Sequence, residues 1–394
     1  MLGSLTPPRG AVAGLLIGVG LYFSLHTLVM AAVPMIAGLR MDAPTWVSAA
    51  VVIVYMGAGA LGDIPVGVLI SRVGLRPVVV TGAVGAATAA GLMFGVRGPA
   101  ALLALCVLAG LSTAFLMGPL LGALASHAGR DQVRVQLVNA GFQRSGALVT
   151  SIVVARVLDT RSIDVALAAA IVLAVLIAAI GFRLGSVGPA PRRVTSGAAP
   201  PVLRSRQVQL GLIVGVYLPL LLVYAAAYFP LALLHDGRIA LDAGANALIA
   251  REIVAILTAF ALLPLAHRLR IELLFVIATC ATIATLVAAA FVTHSGGFIV
   301  LFAVHGVGLT ASIVATNVHL YRGTSPASRP TVFALNATSS RVVSVLYPLA
   351  LAPAAVAVAP LLGVVIVASL LAIAGYLAVL VISRRNPSAN DSAY

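Results

Sequence analysis

Asn139-Ala140-Gly141-Phe142-Gln143-Arg144 sits in the middle of an apolar run and has a counterpart 197 positions later, Asn336-Ala337-Thr338-Ser339-Ser340-Arg341. An arginine at the centre of a membrane helix costs roughly 2.5–3.5 kcal/mol on insertion scales, so two in register are not casual. Gly14-Leu15-Leu16-Ile17-Gly18-Val19 and Gly211-Leu212-Ile213-Val214-Gly215-Val216 share the same offset. A repeat of half the chain predicts two parallel copies of one helical unit. Such copies can rock about a shared site near the bilayer midplane.

The composition around these anchors agrees. Of 394 residues, 61% are hydrophobic and 9% charged, against about 25% charged in a soluble domain. The mean hydropathy is +1.14. These values exclude a soluble enzyme, a disordered chain, a collagen-like rod and a disulfide scaffold. The chain reads as an all-α membrane protein. All 24 basic residues are Arg, against 10 acids. They are scattered singly and in pairs between apolar runs, so no nucleic-acid partner is expected. Cys106 and Cys280 lie inside apolar runs and read as small packing residues, not as a disulfide or metal pair.

Apolar runs separated by polar breaks give twelve expected spans, at 11–38, 46–70, 77–96, 100–125, 134–155, 165–184, 208–234, 243–266, 272–293, 297–320, 331–352 and 361–383. The first is too long for a signal-peptide core and is expected to remain as a span. One set of alternate connections carries sixteen Arg residues and the other five. The positive-inside rule then puts both termini in the cytoplasm, in a cytoplasmic (inner) membrane. The stretch SVGPAPRRVTSGAAPPVLRSRQ at 186–207 has linker composition. It separates an N-terminal six-helix bundle, 9–185, from a C-terminal one, 208–385, with a cytoplasmic tail at 386–394.

Between the second and third spans lies Gly67-Val68-Leu69-Ile70-Ser71-Arg72-Val73-Gly74-Leu75-Arg76. It resembles the G-x-L-x-D-R-x-G-R-R signature of the major facilitator superfamily at Gly67, Leu69, Arg72, Gly74 and Arg76. Ser71 stands where the family has Asp, and Leu75 where it has Arg. With twelve spans, a central basic linker and two halves, the resemblance covers about 9–385. It implies twelve transmembrane helices in two pseudosymmetric six-helix bundles. In the family this loop helps hold the cytoplasmic side closed, and the missing acid puts that latch in question. Asp63, eight residues earlier, is a candidate substitute; the plain alternative is a local cap or pair. Gly118-Pro119-Leu120-Leu121-Gly122 is similar to the Gly-Pro motif of drug antiporters but lies in the fourth span, not the fifth. It reads as a kinked, closely packed helix.

The candidate site follows from the costly residues. Arg144 and Arg341 must face a cavity, an anion or internal acids. Gln136, Asn139 and Gln143 form a polar stripe on the fifth span, and Asn336, Ser340 and Ser344 one on the eleventh. The resemblance implies that these stripes face each other across a cavity. Two arginines suit a bidentate clamp on an anion; the alternative is pairing with internal acids. The main acids are Asp63 and Glu252, candidates for proton coupling or static ion pairs. Arg251 and Glu252 point about 100° apart on one helix. His26 and His305 are further proton-carrying candidates, against a packing role. Tyr22, Tyr217, Tyr224 and Tyr228 are candidates to line the path. Gly57-Ala58-Gly59-Ala60-Leu61-Gly62 fits a dinucleotide fingerprint, but it follows no strand and reads as helix packing. No catalytic, cofactor or metal motif is present.

The expected function is secondary active transport of a small organic solute by alternating access, driven by protons, in the export direction, by a monomer. The Arg pair favours an anionic substrate. One rival is an exporter of apolar or cationic compounds, which requires both arginines to be neutralised by internal acids. Another is a non-transporting membrane sensor or lipid-handling scaffold.

Overall fold

A computed structural model describes residues 9–127, 131–160, 162–184, 205–219, 233, 237–239, 241–325, 328–351 and 358–385. Most of the expected linker, the tail, Tyr224 and Tyr228 lie outside the described residues.

Each apolar run contains a helix. The N-terminal six are α1 (Arg9–Met35), α2 (Thr45–Val73), α3 (Leu75–Met93), α4 (Pro99–His127), α5 (Gln132–Thr160) and α6 (Asp164–Arg183). Then come α7 (Arg206–Pro219), α8 (Leu241–Ala261), α9 (Ile271–Ala290), α10 (Ser295–Arg322), α11 (Arg329–Leu351) and α12 (Val358–Arg385). Among the described residues there is no strand. Among the described residues eight helices, α1–α4, α6 and α8–α10, are individually long and apolar enough to cross a membrane. Helices α5 and α11 fall outside that set; they carry the polar stripes and the central arginines.

Chain ends and turns have local causes. Pro34 lacks the N–H that would continue the α1 ladder, and the helix relaxes into a π turn at Ile36–Arg40. Arg40 at its end donates to the carbonyls of Met93 and Phe94, both at 3.0 Å, and pairs with Asp164. This ties one end of α1, α3 and α6 together. At the other end α2 stops at Gly74, whose φ of +85° suits glycine, and its N–H reaches the Ile70 carbonyl at 3.0 Å. Helix α3 starts at once.

The packing repeats itself. Helix α1 lies against α4, α5 and α6, while α3 lies on α4 and α6, and α2 on α4. Likewise α7 lies against α10, α11 and α12, while α9 lies on α10 and α12, and α8 on α10. One buried core draws mostly on α1–α6 and a second mostly on α7–α12. Two seams join the sets: α2 and α4 against α11, and α8 and α10 against α5. These seams exchange under the 197-residue offset.

Small residues set the approach at the first seam. A Cβ on Gly67 would lie 2.8 Å from that of Ala334, and one on Gly122 would lie 3.1 Å from the Pro330 Cα. Gly118 faces Ala334 as well. The Gly-Pro stretch of α4 is thus a contact surface for α11.

Candidate functional site

The central arginines do not share one cavity. Arg144 turns to α8 and Arg341 to α2, so each meets an acid across a seam. Arg144 Nη1 donates to Glu252 Oε2 at 3.3 Å, and Arg341 Nε lies 3.1 Å from Asp63 Oδ2. Arg144 and Arg341 are each 2% exposed, Glu252 0% and Asp63 1%. Of the two readings of these arginines, the structure shows pairing with internal acids, as two separate ion pairs. The reason is reach: α5 packs on α8, α11 packs on α2, and each guanidinium finds the nearest buried carboxylate.

Around Arg341 the hydrogen-bond partners come from two further helices, α4 and α1. Nη1 donates to Thr113 Oγ1 at 3.0 Å and Nη2 to the Tyr22 hydroxyl at 3.5 Å. The guanidinium occupies the space that a side chain at position 59 would take, so Gly59 is the notch that admits it. Within the Gly57–Gly62 stretch, Gly62 likewise abuts the Ala114 side chain at 2.9 Å. The Asp63 contact is ionic, because neither carboxylate oxygen receives an aligned hydrogen bond. Asp63 thus belongs to this seam and not to the loop at 71–76. There, Arg72 and Arg76 are exposed, and Arg76 lies over the Phe182 ring at 5.2 Å. His26 stacks between Tyr22 and Tyr55, at 5.6 and 5.5 Å between centroids, with Nδ1 2.7 Å from the Tyr55 hydroxyl.

The α5/α8 cluster is charged differently. Arg251 Nε donates to Glu252 Oε1 at 3.0 Å, with Nη2 on the same oxygen. The long Arg251 side chain folds back along its helix, although the two residues leave α8 in different directions. One carboxylate therefore serves two guanidiniums. Arg251 Nη1 and Arg144 Nε have no hydrogen-bond partner. Arg251 lies 5.7 Å from the centre of the Phe302 ring, and His305 stacks on that ring at 5.7 Å. His305 is 1% exposed, and neither ring nitrogen has a hydrogen-bond partner. Gly306 lets α10 press against the Arg251 backbone.

The polar stripes are buried. Asn139 Nδ2 donates to Gln136 Oε1 at 2.9 Å, and Gln143 is buried beside them. The Asn336 side chain fills the notch at Gly215 of α7, and Ser340 is half-buried. Tyr217 is not part of either cluster: its hydroxyl is 2.9 Å from Ser369 Oγ on α12 and its ring abuts Phe275.

Thr113, Tyr55 and Phe302 are site residues that the motif search passed over. The repeat itself held a signal for two of them, since Thr113 matches Thr310 and Tyr55 matches Glu252 at the offset of 197. A cavity of about 840 Å³ opens at one end of the α5/α8 seam, lined by Asp131, Arg134, Phe260, Pro264, His267 and Arg322 among others. Arg134 lies ten residues before Arg144, roughly 15 Å along α5. Among the described residues no cluster of His, Cys, Asp or Glu is arranged to hold a metal.

Comparison with known proteins places this geometry. The family model described as Major Facilitator Superfamily matches residues 15–348. A solved structure described as the transporter FucP in the outward conformation matches with a TM-score of 0.66 at 13% identity, covering 92% of this chain and 98% of its own. The human organic anion transporter MFSD10 (TETRAN) matches with a TM-score of 0.69 at 15% identity, covering 93% and 100%. At such identities the likeness is one of fold. No curated protein matches in sequence.

Proposed function

Because the chain belongs to the Major Facilitator Superfamily, we propose that this integral membrane transporter, which is not an enzyme, is a proton-coupled secondary transporter of a small organic solute. Its twelve helices span the membrane as two six-helix bundles, 9–185 and 208–385, with both termini cytoplasmic. It works as a monomer in the inner membrane, by alternating access. The observation that carries this reading is the pair of buried Arg–acid bridges, one across each seam between the sets of helices.

The physical argument is one of charge. A buried ion pair holds two surfaces together only while both partners are charged, and removing one charge turns the contact into a penalty of several kcal/mol. Protonation of Asp63 or Glu252 does this reversibly. Each seam is then a contact that a proton can loosen, which is what coupling requires. Neutralisation of Arg341 by Asp63 is also what an exporter of apolar or cationic compounds needs. Glu252 pairs with Arg144 as well, as that reading requires; what favours an anionic substrate is Arg251, which leaves the second seam one positive charge in excess.

The test needs no substrate. Spin labels at Val73 on α2 and Arg322 on α10, both exposed, are introduced on a Cys106→Ala, Cys280→Ser background in lipid nanodiscs. Pulsed dipolar spectroscopy at pH 7.5 and 5.0 is expected to show two distance populations whose ratio changes with pH. D63N and E252Q should fix the ratio near its acidic value. A single distance distribution, unchanged by pH and by both substitutions, would defeat the proposal.

A further inference from the structure

We propose that the Arg144–Glu252–Arg251 cluster is a carboxylate-binding site in which a monovalent organic anion takes the place of Glu252 as Glu252 accepts a proton. This rests on the transport reading above and names its substrate class and its coupling ratio.

The charge inventory of the two seams is unequal. At the α2/α11 seam one Asp faces one Arg, and the sum is zero. At the α5/α8 seam Glu252 faces Arg144 from α5 and Arg251 from its own helix, while His305 from α10 stacks on the ring below Arg251. With His305 neutral, the cluster carries a surplus of one positive charge. All four residues are at most 5% exposed. A buried, uncompensated cation costs several kcal/mol, so two guanidiniums here require an anion between them whenever Glu252 gives up its charge. Hydrogen-bond capacity is left over as well: Arg251 Nη1, Arg144 Nε and the His305 nitrogens have no partners.

The ligand must be a single carboxylate for the charges to stay balanced. In the resting cluster two guanidiniums and one carboxylate sum to plus one. With Glu252 protonated and one monoanion bound to the guanidiniums, the sum is again plus one. One proton moves from water to the Glu252 carboxylate and no other bond changes. Transfer of the proton and the anion together is therefore electroneutral within the seam. A dianion with Glu252 protonated would bring the sum to zero, so one proton would no longer balance the ligand's charge, and a neutral solute would leave the freed arginines unpaired.

Two features fit an aromatic or apolar carboxylate. The ring beside Arg251 is Phe302, and Phe298 packs on it with centroids 5.0 Å apart. The cavity on the same seam is lined by Arg134 and Arg322, with one acid, Asp131, and by Phe260 and Leu263. It combines an excess of positive charge with apolar surface, the combination that draws in such an anion.

The experiment is calorimetric titration of the purified transporter with sodium benzoate, and with benzamide as the uncharged isostere, in two buffers of different ionisation heat. Between pH 5.5 and 7.5 the wild type should take up about one proton per benzoate wherever Glu252 starts ionised. Affinity should then rise up to tenfold per unit fall in pH, by linkage. E252Q should bind benzoate with no proton uptake and no pH dependence. R251Q, which removes the surplus charge, should bind at least tenfold more weakly, and R251K should retain binding. Benzamide should not bind. Melting curves and gel filtration establish that each variant is folded; if R251Q is not, E252Q alone decides. The proposal is overturned by benzoate binding without proton uptake, by equal uptake in E252Q, by unchanged affinity in folded R251Q, or by no binding of benzoate, acetate or lactate. If the anions fail while the spin-label distances still respond to pH, this site falls and the transport reading stands. The converse result removes the transport reading and leaves the site.

Discussion

Arg341→Gln is the most informative single change at the α2/α11 seam. It leaves Asp63 ionised, 1% exposed and with no hydrogen-bond donor to either oxygen. Removing one member of a buried pair costs about 3–5 kcal/mol. Asp63→Asn should cost less, about 2–3 kcal/mol, because Arg341 keeps its bonds to Thr113 and Tyr22 and an amide oxygen can still accept. Additivity would then put the double variant at about 5–8 kcal/mol. The geometry predicts otherwise: with both charges gone nothing is left unpaired, and D63N/R341Q should lie within about 2 kcal/mol of wild type. Equilibrium unfolding by SDS titration in mixed micelles gives the four corners of the cycle. A double variant as unstable as the sum of the singles would refute the pair as a coupled unit.

Three further outcomes follow from the same seams. Gly59→Val puts a side chain where the Arg341 guanidinium lies, so it should cost about 1–3 kcal/mol by overpacking and reproduce the D63N spin-label distances. Gly67→Leu should push α11 off α2, since even a Cβ there comes within 2.8 Å of Ala334; cysteines placed at neighbouring seam positions should become accessible to a polar alkylating reagent, and unchanged protection would argue against the contact. Gly74→Ala forces a φ of +85° on a residue with a Cβ and should lower stability by about 1–2 kcal/mol, read as an earlier SDS midpoint with seam accessibility unaltered.

The helical plan was legible because apolar runs of this length have one solution in lipid. The described helix ends fall within a few residues of the runs that predict them, apart from α7, whose described part stops at Pro219. Arg144, Arg341, Asp63 and Glu252 were legible as costly residues, since an ionisable group amid apolar neighbours stands out by itself. Their pairing was not. Periodicity gives the face of a helix but not the neighbour it meets, and a guanidinium reaches far enough to choose between neighbours. Thr113 and Tyr55 were passed over because a hydroxyl in a membrane helix carries no such cost; the usual reading is a bond back to its own helix, as Thr258 makes to the Val254 carbonyl. Tyr217, a candidate to line the path with packing as the alternative, has its hydroxyl 2.9 Å from Ser369 Oγ on α12, a neighbour that the period of α7 does not identify.

The repeat explains why the seams are alike in plan and unlike in charge. Arg144 and Arg341 are true counterparts, but their acids are not. Glu252 corresponds to Tyr55, whereas Asp63 corresponds to Phe260. Asp63 thus sits eight residues, roughly 12 Å, beyond the position that Glu252 occupies in the other half. That displacement draws Arg341 past Gly59 toward the end of α2 where Gly67 meets Ala334. The Asp63–Arg341 bridge therefore braces a closed contact between helices and carries no spare charge. The Glu252 cluster stays about two turns short of that position, near the middle of α8, beside a second arginine and an unbonded imidazole. Eight residues further along α8, in the lining of the cavity, stands Phe260, the residue that replaces Asp63. A substitution that moved the acid, Phe260→Asp together with Glu252→Gln, would make the α5/α8 seam resemble its counterpart. The expected result is a transporter that retains a pH-dependent seam but no longer couples anion binding to proton uptake, measured by the same benzoate titration. Retained one-to-one uptake would mean that the position of the acid does not set the division of labour between the seams.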